Sequence, residues 1–323
     1  MRRLPPALLA PVALNLLLAL PGCATAPSAP PAVRYIDAHS HLLGHIPAAD
    51  LIAQMRQEGL GAVAIMDPDP AKLRAITKGN AGYVVPFISL ARLPEMQGLR
   101  LDAHSGEQMA ELALQGQACG FGEIPTRIIP RTEPDDAATL LNAYRTQIYA
   151  KAAQLGLPVV LHVDIASDAV AQSISRIAHD NAGARIVLAH AGWSAPAARL
   201  AQLMDEHPNI YADLSVRLDP AGGLPHAPLP PGSQPPGAAN VITIIQSEGT
   251  LAPDWARLFQ RHADRFFFAM DITDTERPKY IGLLLATARK ALAPLGRTVE
   301  RAIAGENFKT LTARCTIRPG QAE

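Results

Sequence analysis

The residues with the clearest chemical potential begin at Asp37-Ala38-His39-Ser40-His41, just after the short apolar run Val33-Arg34-Tyr35-Ile36. Residues two apart on a β-strand point to the same face, so His39 and His41 project side by side. Two neighbouring imidazoles are a natural start for a divalent metal site. With ten histidines in 323 residues such a pair can arise by chance, so its meaning depends on the rest of the chain. Glu123, His162, His190 and Asp271 come later, each near the end of an apolar run, and all four are metal-ligand types. Burying a lone carboxylate is costly, and a metal shared by Glu123, Asp271 and the histidines would remove that cost. Asp37 is read as facing away from the histidine pair, fixing a turn or a supporting contact. Asp213 ends another apolar run, where a structural hydrogen bond is the expected role.

The elements that must position these residues alternate. Eight short runs read as strands: 33–38, 61–66, 83–90, 119–124, 158–163, 185–190, 209–214 and 265–271. Most are nearly continuous in apolar residues, as expected for parallel strands covered on both faces. Helical stretches lie between them. Ser105 with Gln108 reads as a capping box. Ser167 and Ser194 read as N-caps, with Asp168 and Pro196 in the first turns. Leu140, Leu141, Tyr144, Ile148 and Ala152 give helical spacing over 135–155, with Gly156 as a C-cap. A further helix is expected over 253–262. Eight strands alternating with helices predict a (β/α)8 TIM barrel, in which the strand C-termini converge on one mouth. A doubly wound open sheet is the alternative, but no glycine-rich nucleotide fingerprint follows the first strand. Residues 217–249 form a Pro/Gly-rich insertion after the seventh strand, on the same face as the mouth, and read either as a lid or as a passive surface segment.

Composition bounds the partners. The chain is 48% hydrophobic and 18% charged, enough for the large core of one barrel domain. Lys+Arg and Asp+Glu are both 29, so there is no basic footprint for nucleic acid and no polybasic segment for anionic lipid. Met1-Arg2-Arg3 is a positive n-region. The apolar stretch from Leu4 to Leu20 is broken by Pro5, Pro6 and Pro11, and falls short of the roughly 20 uninterrupted residues of a spanning helix. Leu20-Pro21-Gly22-Cys23 resembles a bacterial lipobox, which implies cleavage before Cys23 and lipidation of its thiol. Ala24, by resemblance to lipoprotein sorting rules, points to the outer membrane. The expected organisation is a signal peptide over 1–22, a tether over 23–32, the barrel over 33–315 and a tail over 316–323, on the periplasmic side of the cell envelope. Cys119 and Cys315 could pair in that oxidising compartment. Two isolated cysteines in a large domain are more often separate buried hydrophobes, and that is the expectation here.

As an ordered set, several segments carry a family resemblance: IDAHSHL (36–42), GEIP (122–125), LPVVLHVD (157–164), IVLAHAGW (186–193), DWARLFQRHADRFFFAMDITD (254–274) and GENFKTL (305–311). Together they resemble the amidohydrolase superfamily, especially its amidohydrolase-related branch, over roughly residues 33–315. The resemblance implies that His39, His41 and Asp271 hold the more buried metal. It places Glu123 where some relatives carry a carbamylated lysine as a bridging ligand, with His162 and His190 on a second metal. In one-metal relatives His162 completes the first site, and His190 polarises substrate or moves a proton. The sequence leaves one or two metals open, with Glu123 weighing for two. Imidazole and carboxylate ligands suit zinc, manganese or iron, with zinc preferred.

Ordinary metal chemistry then supplies a mechanism. Bound Zn2+ lowers the pKa of its water to about 7. Asp271 would orient that water and shuttle its proton, and a second metal or His190 would polarise the scissile oxygen. Arg127, Trp193 and Arg217, with His226, follow strand ends and read as pocket residues, the arginines holding an anionic substrate group, or else as solvated loop residues. The implied function is metal-dependent hydrolysis of a small ester, amide, lactone or phosphoester. The alternatives are non-oxidative decarboxylation of an aromatic acid, known in the same branch, and a non-catalytic ligand-binding lipoprotein, which would need no such convergent residues.

Overall fold

The computed structural model describes residues 33–315, apart from 43, 45, 90–102, 116–117, 126–136, 222, 225–241 and 274–275. The lipobox with Cys23, the tether, the tail, Arg127, His226 and most of the proline-rich insertion therefore lie outside the described residues.

The strands are β1 (Ile36–His41), β2 (Ala62–Asp67), β3 (Val84–Ile88), β4 (Phe121–Pro125), β5 (Pro158–His162), β6 (Arg185–Leu188), β7 (Ile210–Asp213) and β8 (Phe266–Phe267). They pair in parallel in sequence order, with helices in the connections. The end of the sheet returns to its beginning. The Ala38 N–H donates to the Phe268 carbonyl at 3.0 Å, the Asp271 N–H to the His39 carbonyl at 2.7 Å, and the His41 N–H to the Ile272 carbonyl at 3.0 Å. The alternation read from the sequence is thus a (β/α)8 TIM barrel.

Both faces of each strand are buried because they serve two apolar layers. Ile36, Ala38, Met66, Phe87, Val160 and Phe267 fill the barrel with Phe308. Val63, Ile65, Val159, Leu161, Ile186 and Leu188 face the helices. Two strands break the alternation at chemically important points. In β1, the step from Asp37 to Ser40 spans only Val63 to Ile65 on β2. In β4, Phe121 to Ile124 spans only Val159 to Leu161 on β5. Each is a one-residue bulge. Regular alternation would put Asp37 on the same face as His39 and His41. The extra residue instead leaves Asp37 and Ser40 beside Val63 and Ile65 on the outer side, and His41 beside inward-facing Met66.

Several boundaries differ from the sequence expectation. Strand β1 starts three residues later than expected and contains both histidines. Strand β6 stops at Leu188 and β8 at Phe267. His190 (φ 54°) and Asp271 (φ 53°) lie beyond them in left-handed backbone, which no strand can include. The helix expected over 135–155 is two pieces, Ala137–Leu140 and Ala143–Leu155, because Asn142 caps the second by accepting the Arg145 N–H at 2.9 Å. Ser105 lies inside the helix Ala103–Gln115 rather than before it. Ser167 caps its helix. Ser194 does not; its hydroxyl donates to Asp164 at 2.6 Å, and the helix Ala197–Glu206 starts later, after Pro196. Gly156 ends its helix at φ 65°.

Cys119 and Cys315 form a disulfide, against the expectation of separate thiols. The reason lies in the C-terminal turn. Asn307 donates to the carbonyls of Ala263 (2.7 Å) and Phe266 (2.9 Å) at the start of β8. Phe308 then stacks near Phe87 inside the barrel. The chain is thereby led under the barrel floor to Cys119, two residues before β4.

Candidate metal centre

Six side chains from five strand ends converge at the barrel mouth. The Nε2 atoms of His39 and His41 are 3.1 Å apart. Asp271 Oδ1 lies 3.7 Å from the first and 3.5 Å from the second. Glu123 sits between this group and the next. Its Oε1 is 3.8 Å from His39 Nε2 and 3.4 Å from His190 Nε2, and touches His162 Nδ1. Its Oε2 is 3.7 Å from His41 Nε2. His190 Nε2 and His162 Nδ1 are 3.3 Å apart. Two ligand triads result, His39–His41–Glu123 and Glu123–His162–His190, with Glu123 common to both.

Local backbone aims these groups. The β4 bulge turns Glu123 inward. Gly122 is required beside it, since its φ is 139° and a Cβ there would fall 2.6 Å from the Val160 Cβ. Asp271 is held by the Asp271 N–H···His39 carbonyl bond. On either side of it, the Met270 N–H donates to Asp37 Oδ1 at 2.9 Å and the Ile272 N–H to Ser40 Oγ at 3.2 Å. Asp37 also accepts the His39 N–H at 3.1 Å and the Ser40 hydroxyl at 2.5 Å. It therefore fastens β1 to the segment that carries Asp271.

Asp213 orients two of the rings. Its Oδ2 accepts His39 Nδ1 at 2.9 Å. Its Oδ1 accepts the N–H groups of His190 and Ser215, each at 3.1 Å, and the Ser215 hydroxyl. Because Ser215 gives its proton to Asp213, its Oγ accepts from His190 Nδ1 at 2.8 Å. Both His39 and His190 thus carry a proton on Nδ1, which leaves Nε2, facing the cluster, as the atom that can ligate a metal. Ser215 was not visible as part of the site in the sequence. Its only signal is the Asp213-x-Ser215 spacing at the end of an apolar run.

The donor set fits a divalent cation. Lone pairs of three Nε2 atoms, one Nδ1 atom and the carboxylates face one another, and Asp271 Oδ1 is buried with no hydrogen-bond partner. The electrostatics say the same. Burial disfavours an imidazolium at His39, yet Asp213 and Glu123 outweigh it and lift the ring to about 10. Burial likewise works against Glu123, Asp271 and Asp213 as anions. The His162 and His39 rings hold Glu123 well down, and His39 holds Asp271 and Asp213 below the ordinary range. Burial lifts Asp37 to about 7, outweighing its hydrogen bonds and the attraction of His39. Three buried carboxylates around one point call for positive charge there, which a proton on His39 or a metal ion can supply.

Trp193 flanks the cluster, its ring 5.3 Å from that of His162 and 5.0 Å from that of His190. Arg217 does not fit its expected role as an anion holder. It is buried, donates to the carbonyls of Trp193 and Ala195, and lies 4.4 Å from the Trp255 ring centroid. The turn after β7 draws it inward, so it supports Trp193.

A family model described as Amidohydrolase matches residues 86–307. No functionally curated protein matches the sequence. Several solved structures share the fold. One is a protein from Acinetobacter baumannii assigned as a 2-pyrone-4,6-dicarboxylic acid hydrolase, with TM-score 0.51 and 8% identity over 87% of this chain and 99% of that one. A Staphylococcus aureus protein assigned as an amidohydrolase has TM-score 0.53 and 12% identity over 87% and 99%. The N-acyl-D-glutamate deacylase of Bordetella bronchiseptica, solved with zinc and a phosphonate inhibitor, has TM-score 0.52 and 14% identity over 88% and 76%.

Proposed function

We propose that this chain, which belongs to the amidohydrolase family, is a metal-dependent hydrolase that splits a small ester, amide, lactone or phosphoester with water. The observation that carries the reading is the buried, unpartnered Oδ1 of Asp271 facing two ring nitrogens. His39, His41 and Asp271 would hold one divalent ion and His162 and His190 a second, with Glu123 bridging; zinc is the preferred metal. Such ions, when bound, acidify a water and polarise the scissile oxygen. Asp271 is placed to accept the water's proton and pass it to the leaving group. Asp213 keeps His39 and His190 in the ligating tautomer, and Trp193 packs against the His162 and His190 rings. A hydrolase and a deacylase among the proteins of this fold are in keeping with the reaction class.

We also propose that the protein is lipid-anchored through Cys23 on the periplasmic side of the envelope, at the outer membrane. Support comes from the lipobox spacing and from the Cys119–Cys315 bridge, which suits an oxidising compartment.

Elemental analysis of the purified protein, followed by a panel of esters, amides, lactones and phosphoesters, tests the catalytic reading. About two metal equivalents are expected, falling sharply in the His39→Ala/His41→Ala variant together with hydrolysis. Absence of metal after reconstitution would sink the proposal. So would CO2 release from aromatic acids by a protein inert to the whole panel. Fatty-acid labelling that persists in Cys23→Ser would refute the anchor.

A further inference from the structure

We propose that the buried pair Arg277–Asp219 is a positioning device for Asp271, and that its purpose is metal binding rather than stability. The proposal rests on the reading of Asp271 as a metal ligand. Arg277 opens the short turn Arg277–Tyr280, and Asp219 follows β7. Both are almost fully buried. The guanidinium meets the carboxylate in a fork, Nη1 to Oδ2 at 2.9 Å and Nη2 to Oδ1 at 3.0 Å. The same guanidinium also donates to the Met270 carbonyl, through Nε at 3.0 Å and Nη2 at 2.5 Å.

That carbonyl belongs to the peptide group that ends at the Asp271 nitrogen. Its N–H side is bound to the His39 carbonyl at 2.7 Å. The next peptide group is bound through the Ile272 N–H to Ser40 Oγ at 3.2 Å. Fixing the planes on both sides of a residue fixes its φ and ψ. Here they hold Asp271 at φ 53°, a left-handed conformation that L-residues ordinarily avoid. Arg277 supplies the oxygen-side contact of the first plane. Asp219 orders Arg277, and is itself anchored where the Thr243 hydroxyl donates to the Asp219 and Arg217 carbonyls.

A stabilising role alone is a weak explanation. Desolvating two ions commonly offsets their attraction, so a buried pair rarely outperforms apolar side chains of the same size. A planar fork that also grips one particular carbonyl is suited to geometry.

The test measures Zn2+ affinity of the full chain by competition with a chromophoric chelator. Arg277→Lys keeps the charge and loses the fork; Asp219→Asn keeps the shape and loses the charge. Supporting contacts of this kind change metal affinity by about 10–100-fold, and we expect that loss in both variants while they remain folded by circular dichroism. In an Asp271→Ala background, the same substitutions should change affinity less than about twofold, since contacts acting through one residue are not additive. Folded variants with lowered melting temperature and unchanged Zn2+ affinity would overturn the proposal. So would an equal loss in the Asp271→Ala background. If Asp271→Ala itself binds Zn2+ like the parent, the ligand reading falls first. If Arg277→Lys fails to fold, Asp219→Asn carries the comparison.

Discussion

Replacing Asp213 by Asn should uncouple the metal centre without touching a ligand. Asp213 accepts four donors: His39 Nδ1 on Oδ2, and the His190 N–H, the Ser215 N–H and the Ser215 hydroxyl on Oδ1. An asparagine has one oxygen for this work. If that oxygen keeps the three donors at Oδ1, the new NH2 faces His39 Nδ1, which must then accept. The His39 proton moves to Nε2, the atom 3.1 Å from His41 Nε2, and the ring can no longer ligate. If the amide flips, NH2 meets two backbone N–H groups, leaving buried donors unpaired at about 1–3 kcal/mol each. The first arrangement is the cheaper. It predicts a folded protein whose metal affinity is lower by about 10–100-fold, equivalent to about 1.4–2.7 kcal/mol. Chelator competition measures the affinity, and long-range 1H–15N correlation of the imidazoles reads the tautomer. A variant with unchanged affinity, or with reduced affinity while His39 still carries its proton on Nδ1, would refute the argument.

Glu123→Gln should reduce bound metal from about two equivalents to one or fewer by elemental analysis, because an amide is a poor bridging ligand; two retained equivalents would exclude a bridging Glu123. Opening the Cys119–Cys315 bridge, by Cys315→Ser or by reductant, should destabilise the barrel. The closed loop spans 196 residues, for which chain entropy gives an upper value of about 5 kcal/mol; denaturant midpoints that coincide with and without reductant would contradict this. The protein should also have a sharp alkaline limit. Burial raises Tyr83 to about 12 and Tyr35, Tyr144 and Tyr149 further. Between pH 10 and 12 the unfolded chain loses tyrosine protons that the folded chain keeps, so stability falls with rising pH by about 1.4 kcal/mol per unit for each tyrosine. Denaturation curves that do not change between pH 9.5 and 11.5 would contradict it.

Legibility in the sequence followed regularity. Nearly continuous apolar runs such as PVVLH (158–162) and RIVL (185–188) suit strands buried on both faces, and their alternation with helices made the barrel readable. Residue type at strand ends brought out His39, His41, Glu123, His162, His190 and Asp271, which the structure brings within one cluster. Arg217 misled because an arginine after a strand looks solvent-facing, and only tertiary contacts show it turned onto the Trp193 and Ala195 carbonyls. Ser215 and Arg277 act through hydrogen bonds to other site residues, which leave no periodic trace. The disulfide was illegible for a similar reason: what brings the ends of a 196-residue loop together is the path of the last turn, not the spacing of the cysteines.

The irregular backbone and the chemistry coincide, and the coincidence has a physical cause. Parallel strands in a closed barrel present side chains at fixed intervals around the mouth, too uniformly to bring six donors within reach of one or two ions. Four of the six are delivered by departures from that regularity. His39 lies in the β1 bulge and Glu123 in the β4 bulge, while His190 and Asp271 have φ of 54° and 53°. Among the described residues the other non-glycine positions with positive φ are Ala191, Trp193 and Val216, all after β6 or β7 at the same rim. Each such residue costs about 1–2 kcal/mol, and a β-branched residue like Val216 is the most strained. Contacts gathered at that rim hold these conformations: Asp37 and Arg277 on Met270 before Asp271, Ser40 on Ile272 after it, and Asp213 on the His190 N–H. These polar side chains are themselves buried in an otherwise apolar barrel. A fold selected for stability alone would fill such positions with aliphatic groups, so their presence marks where geometry has been favoured over stability.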